Sequence, residues 1–243
     1  MSMADRVALV TGASRGIGAA IATAFAAEGA VVGCLARRAA DVAAVVDAIE
    51  ADGGRAVALV ADVTDAAALG RAIDDLVERA GRLDVLVVNA GVNLDHATVE
   101  GSDPELWRRT IDVNLLGAYE SVRLAIPALA ACGDGRIIML GSGTGHHARN
   151  SNAAYICSKA ALWALTRVLA DELRGQGISV NELIPGPVRT ELVAHESGPG
   201  TVASLDTEWV KRAEDVVPLA LFLASCPAPG PSGQSFSLMR RTG

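Results

Sequence analysis

At 243 residues the chain is long enough to bury a substantial core and short enough to form one α/β domain. A formal net charge of −7, with no Lys/Arg run longer than two residues, excludes a general nucleic-acid surface. No apolar stretch reaches the roughly 18–20 residues of a membrane span, and the opening "MSMADRVALVTG" lacks an apolar signal-peptide core, so a cytoplasmic protein without membrane or nucleic-acid partners is expected.

In chain order, short Val/Leu/Ile runs alternate with longer Ala-rich stretches of helical period. Strands are expected at 6–12, 30–36, 55–61, 84–90, 135–142, 178–185 and 233–239, and helices at 17–28, 65–80, 104–130, 152–174 and 214–225. This alternation predicts a doubly wound, seven-stranded parallel sheet with helices on both faces. Gly117 and Pro127 mark a break or a frayed end in the long stretch 104–130. The connection 186–212 follows the sixth strand without a strong pattern and reads as a lid over a site at the strands' carboxyl ends. A hydrophobic fraction of 51% adds the expectation of an oligomer.

The first strand runs directly into "TGASRGIG", Thr11 to Gly18, which opens a helix. Gly12, Gly16 and Gly18 permit a tight turn, close backbone approach to a ligand and close helix packing, and the helix start would hold a pyrophosphate. A dinucleotide site is therefore expected there. The second strand ends in Ala36, Arg37 and Arg38, where a site for NAD(H) usually offers a carboxylate to the ribose 2′-hydroxyl. A carboxylate would repel a 2′-phosphate, whereas guanidinium groups bind it, with Arg15 as a second source of charge. NADP(H) is expected in preference to NAD(H).

Tyr155 is one of only two tyrosines, and Lys159 lies four residues later on the same face of an expected helix. A phenol with a pKa near 10 is a sluggish acid at neutral pH, and lowering it by about 3 units requires roughly 4 kcal/mol of extra phenolate stabilisation. A nearby ammonium supplies much of that. The cysteines Cys34, Cys132, Cys157 and Cys226 lack zinc or disulfide-framework spacing and read as buried reduced thiols. His146 and His147 are adjacent and unsuited to one metal, so no metal site is expected.

Taken in order, the turn at 11–18, Asp62, Asn89-Ala90-Gly91, Asn114, Ser142, Tyr155-x-x-x-Lys159 and Pro185-Gly186 resemble the short-chain dehydrogenase/reductase family over nearly the whole chain, in its 3-oxoacyl-carrier-protein-reductase-like form. The resemblance implies that Tyr155 donates a proton to a substrate carbonyl, Lys159 bonds the nicotinamide ribose and acidifies the tyrosine, Ser142 orients the carbonyl and Asn114 holds a relay water. It implies cofactor contacts from Gly12, Ser14, Arg15, Gly16, Ile17 and Gly18, from Asp62 and Val63, from Asn89, Ala90 and Gly91, and from Pro185, Gly186, Val188 and Thr190. It also implies pairing of helices 104–130 and 152–174 with a second subunit, in a dimer or tetramer. A ketone or 3-oxoacyl thioester is the expected small-molecule substrate. A polyol or sugar dehydrogenase is the rival activity, and a catalytically silent dinucleotide sensor is the rival from another class. The chain departs from the family at "SFSLMRRTG", in place of an acidic turn, and at His146-His147, which are expected at the mouth of the site.

Overall fold

The computed structural model describes residues 2–147, 151–190 and 209–239. Seven parallel strands, β1 (Val7–Thr11), β2 (Val31–Ala36), β3 (Arg55–Val60), β4 (Val85–Val88), β5 (Gly135–Leu140), β6 (Ile178–Ile184) and β7 (Ser235–Ser237), form one sheet in the order β3-β2-β1-β4-β5-β6-β7. Helices α1 (Gly16–Ala27), α2 (Ala39–Ala51), α3 (Ala66–Ala80), α4 (Pro104–Ile111), α5 (Gly117–Ala131), α6 (Ala153–Glu172) and α7 (Val217–Ser225) cover its two faces.

The two-residue period of a strand sorts side chains into separate cores. Val7 and Leu9 of β1 point into a cluster with Leu76 of α3, Leu129 of α5 and Leu162 of α6. Ala8 and Val10 point the other way, against Phe25 of α1, Ile49 of α2 and Leu223 of α7. Every residue of β1 is buried, as a central parallel strand requires. The chain winds outward from β1 through β2 to β3 and then restarts at β4 on the other side of β1. Loops at the carboxyl ends of β1 and β4 consequently leave toward opposite faces, which opens a crevice there.

Several local features differ from the expectations. α2 is an additional helix, anchored by Val42, Val46 and Ile49 on one face. The stretch 104–130 is interrupted by a π-helical segment, Asp112–Leu116, and not at Pro127, which lies inside α5. Gly117 follows the interruption because a Cβ there would lie 2.6 Å from Val63 Cγ2; its absence lets α5 approach the loop after β3. The last strand is only three residues long. Of the connection 186–212, its two described ends are joined: Arg189 N donates to Lys211 O at 2.8 Å, and Lys211 N to Pro187 O at 2.9 Å. Residues 191–208 of the expected lid lie outside the described residues, as do Arg240 and Arg241.

Candidate active site

The crevice is built on a clasp between the ends of β1 and β4. Thr11 Oγ1 donates to Val87 O at 3.3 Å and accepts from the backbone N–H groups of Asn89 at 3.0 Å and Ala90 at 3.1 Å. In return, Asn89 Nδ2 donates to the carbonyls of Thr11 at 2.9 Å and Gly12 at 3.1 Å. A Cβ on Gly18 would lie 2.4 Å from both Asn89 Nδ2 and Gly12 O, so only glycine lets α1 start this close to the clasp. Gly12 and Gly16 adopt φ of +67° and +55°, which turns the chain tightly into α1. α1 opens without a side-chain cap and without an acidic residue in its first turn, so its N-terminal N–H groups and positive dipole end are suited to an anion.

Beyond this turn lies a cavity of about 520 Å³. Its wall includes Gly12, Ser14, Arg15, Gly16 and Ile17 from the turn, Arg37 and Arg38 after β2, Asp62 and Val63 after β3, and Asn89, Ala90 and Gly91 after β4. Thr190 closes it from above, with its Cγ2 3.2 Å from where a Gly16 Cβ would sit. Gly18, Pro185, Gly186 and Val188 are not in that wall; Gly18 packs behind the turn and Val188 is buried. Arg189, Val92 and Val113 line the cavity although no motif singles them out; for Arg189, adjacency to Thr190 is the available signal. The volume, the turn and the helix start together fit a dinucleotide.

Charges at the rim are paired. Arg37 Nη1 lies 3.9 Å and Arg109 Nη2 3.3 Å from Asp62 Oδ2, and Arg38 Nη2 lies 2.5 Å from Asp41. Partial burial alone would raise the Asp62 pKa, but hydrogen bonds from Thr64, followed by the charges of Arg109 and Arg37, leave it below the usual carboxylate range. Asp65, not Asp62, caps α3, accepting from Ala68 N at 3.0 Å.

The second half of the site is carried by α6. Lys159 is buried, and its Nζ donates to Leu140 O at 2.7 Å while lying 5.8 Å from the centroid of the Tyr155 ring. Burial pushes the Lys159 pKa down to about 8, with the negative charge of Glu182 acting in the opposite direction. Ser142 follows β5 and caps the short turn Gly143–Gly145; its Oγ is 2.9 Å from Thr144 Oγ1. That turn rests on α6 at Lys159, where a Cβ on Gly145 would come within 2.8 Å of the lysine backbone.

Asn114, in the π-helical segment, is committed to protein partners. Its Oδ1 accepts from Val92 N at 2.8 Å, and its Nδ2 donates to Val92 O at 2.9 Å and to Ser158 Oγ at 3.0 Å. It thereby ties the loop after β4 to α6. A Cβ on Gly91 would sit 3.4 Å from Asn114 Oδ1 and 3.8 Å from Lys159 Nζ, at ordinary contact distance, so this residue of the cavity wall lies beside the lysine, which is not itself in that wall.

Two expectations are corrected. His146 does not stand at the mouth of the site; its Nε2 faces the carboxylate of Glu182, at 3.0 and 3.2 Å, and its ring packs edge-on to Trp163. Cys157 is exposed on α6 and Cys132 and Cys226 are only partly covered, so Cys34 alone is a fully buried thiol, its pKa pushed up to about 12 by that burial. The C-terminal departure reaches the site, because Met239 occupies the space that side chains at Gly143 and Gly186 would fill. No cluster suited to a metal ion occurs among the described residues, and none of their helices is long and apolar enough to cross a membrane.

The family model described as short chain dehydrogenase matches residues 6–198. The chain is 40% identical over 193 residues to the A-factor type gamma-butyrolactone 1′-reductase (1S-forming) of Streptomyces virginiae, covering 79% of this chain and 75% of that protein. It is 34% identical over 239 residues to the 3-oxoacyl-[acyl-carrier-protein] reductase of Synechocystis sp., covering 98% and 96%. The structure of carveol dehydrogenase from Mycobacterium avium in complex with NAD superposes with a TM-score of 0.87 at 29% identity, over 97% of this chain and 96% of that one.

The depressed Lys159 pKa has a consequence for stability. Between about 8 and the ordinary value of 10.5 the unfolded lysine holds a proton that the folded one has released. Stability from this group therefore rises with pH across that window. Thermal unfolding of the native protein should gain on that of Lys159→Met as the pH climbs from about 8 to 10.5. A constant difference between the two would contradict the buried, desolvated lysine.

Proposed function

The chain belongs to the short-chain dehydrogenase family, and from that premise we propose that it reduces a ketone or 3-oxoacyl thioester with NADP(H), with Tyr155 as general acid. The observation that carries this reading is the Tyr155–Lys159 pair, with the lysine ammonium 5.8 Å from the phenol ring and Gly91, in the wall of the dinucleotide-sized cavity, beside the lysine. The cofactor supplies a hydride to the carbonyl carbon when bound. Tyr155 gives its phenolic proton to the carbonyl oxygen, Ser142 donates a second hydrogen bond to that oxygen, and Lys159 holds the resulting phenolate by its charge. Asn114 fixes the loop after β4 against α6, and through it the geometry of the acid. The single domain 1–243, with 186–212 as the substrate lid and a cytoplasmic location, completes the proposal.

Two reductases among the similar proteins support the reductive direction. NADP(H) is supported by Arg37 and Arg38, which stand where a carboxylate would select the unphosphorylated ribose. The competing reading, alcohol oxidation with NAD, draws on the carveol dehydrogenase complex and on the carboxylates that already engage both arginines. A homo-oligomer is supported by exposed Leu106, Leu116 and Tyr119 on the 104–131 stretch and exposed Trp163 and Val168 on α6. Sedimentation velocity should give a dimer or tetramer, and a monomer at micromolar concentration would refute that part.

Fluorescence titrations should give NADPH at least about tenfold tighter than NADH, a difference of about 1.4 kcal/mol. Arg37→Ala with Arg38→Ala should erase the gap, and equal affinities in the native protein would overturn the cofactor assignment. With a ketone and 3-oxoacyl thioester panel, Tyr155→Phe should lower kcat by about 100-fold or more while NADPH affinity stays close to native. Retained turnover would remove Tyr155 from the proposed role.

A further inference from the structure

β6 sends one acidic side chain into the protein. Glu182 shares the parity of Ile178 and Val180, whose side chains enter the core beneath α6, and like them it is fully covered. A carboxylate in such a place persists only when donors surround it. His146 Nε2 approaches its two oxygens at 3.2 and 3.0 Å, and Ser235 Oγ donates to Oε2. The Ser235 hydroxyl donates, and the imidazole donates as well in the tautomer that carries its proton on Nε2, the arrangement an anion needs.

The carboxylate also has a fixed relation to the lysine. Gly141 follows Leu140, whose carbonyl accepts from Lys159 Nζ at 2.7 Å. A Cβ on Gly141 would overlap the Glu182 carboxyl, so the carboxylate rests directly on the backbone that the ammonium grips. The charged or titratable groups facing it are His146 from the turn after β5 and, from α6, Lys159 and Arg167. Arg167 acts through Ser235, to whose Oγ its Nη2 donates at 3.2 Å. β7 contributes the Ser235 hydroxyl and β5 only backbone.

We propose that Glu182, held by His146 and Ser235, is a positioning residue that keeps Lys159 protonated beside Tyr155. This deepens the reading of Tyr155 as proton donor and rests on it. Burial alone drives the lysine toward its neutral form, and the Glu182 charge opposes that drive. Without the carboxylate, Lys159 loses its proton closer to neutral pH, and the phenolate loses the cation that stabilises it. His146 and Ser235 act on the chemistry only through Glu182.

The chain contains just two lysines, Lys159 and Lys211, so its lysine titrations are directly resolvable. In protein labelled with ¹³C-lysine, the Cε resonance followed by NMR against pH gives the Lys159 midpoint, and Lys211→Arg assigns the pair. Glu182→Gln should lower that midpoint by about 1 pH unit, the lower end of the effect of a close opposite charge. Glu182→Asp, which keeps the charge and withdraws it by one methylene, should lower it by less and serves if the glutamine variant does not fold. An unmoved midpoint in the folded variant overturns the proposal. Because no substrate enters this measurement, it decides the role of Glu182 even if Tyr155→Phe retains turnover and the proton-donor reading fails.

Discussion

The clasp between Thr11 and Asn89 is the constraint on which the site's geometry depends. β1 and β4 are neighbours in the sheet, yet the chain leaves them in different directions, and without a cross-link their ends would be free to splay. Reciprocal hydrogen bonds occupy the Thr11 hydroxyl and the Asn89 amide, so both loops start from fixed points. The clasp leaves so little room that Gly12 and Gly18 are sterically required next to it. Their compactness brings the start of α1 to the crevice, where Gly16 and Ile17 line the cavity.

The same logic of fixed points extends to α6. Asn114 reaches from an irregular, π-helical turn to Val92 and Ser158, linking the loop after β4 to the helix that bears the tyrosine and lysine. The wall of the cavity and the helix that bears Tyr155 and Lys159 are therefore joined through Asn114, and Gly91 lies between them. Burying an ammonium at the end of this set is costly, and a carbonyl at 2.7 Å with a carboxylate behind it is how the fold offsets the cost.

How much of this was legible in the sequence depends on the range of the interaction. The parallel sheet follows from local runs of Val, Leu and Ile, and the phosphate turn from glycines within eight residues, so both can be read without knowing what packs on what. The π-helical segment is different: nothing in "DVNLL" distinguishes it from an α-helix, and the partners Asn114 finds on the loop after β4 and on α6 are visible only in the fold. His146 and Glu182 lie 36 residues apart and meet only through strand pairing, which is why His146 reads as a surface residue in sequence and becomes a buried carboxylate's partner in the fold. Cys157 errs the other way, since an apolar helix context suggests burial while its position on α6 leaves it exposed. α2 escapes a motif-based reading because no motif residue lies in it, although its Val42-Val46-Ile49 spacing is helical.

The rim arginines show why charge at a site must be weighed with its partners. Arg37 and Arg38 face Asp62 and Asp41, which at first sight neutralises the case for a 2′-phosphate. Both guanidinium groups are more than half exposed, at 57% and 72%, and pairs of that kind contribute only about 0–1 kcal/mol. Arg37 stands at 3.9 Å from its carboxylate, beyond hydrogen-bond range, and Asp62 already satisfies itself with Thr64 and Arg109. A dianionic phosphate that accepts bidentate bonds therefore competes with weak, solvent-screened partners. The carboxylates leave both guanidinium groups exposed at the cavity edge, so the ion pairs themselves do not remove the arginines as anion-binding groups.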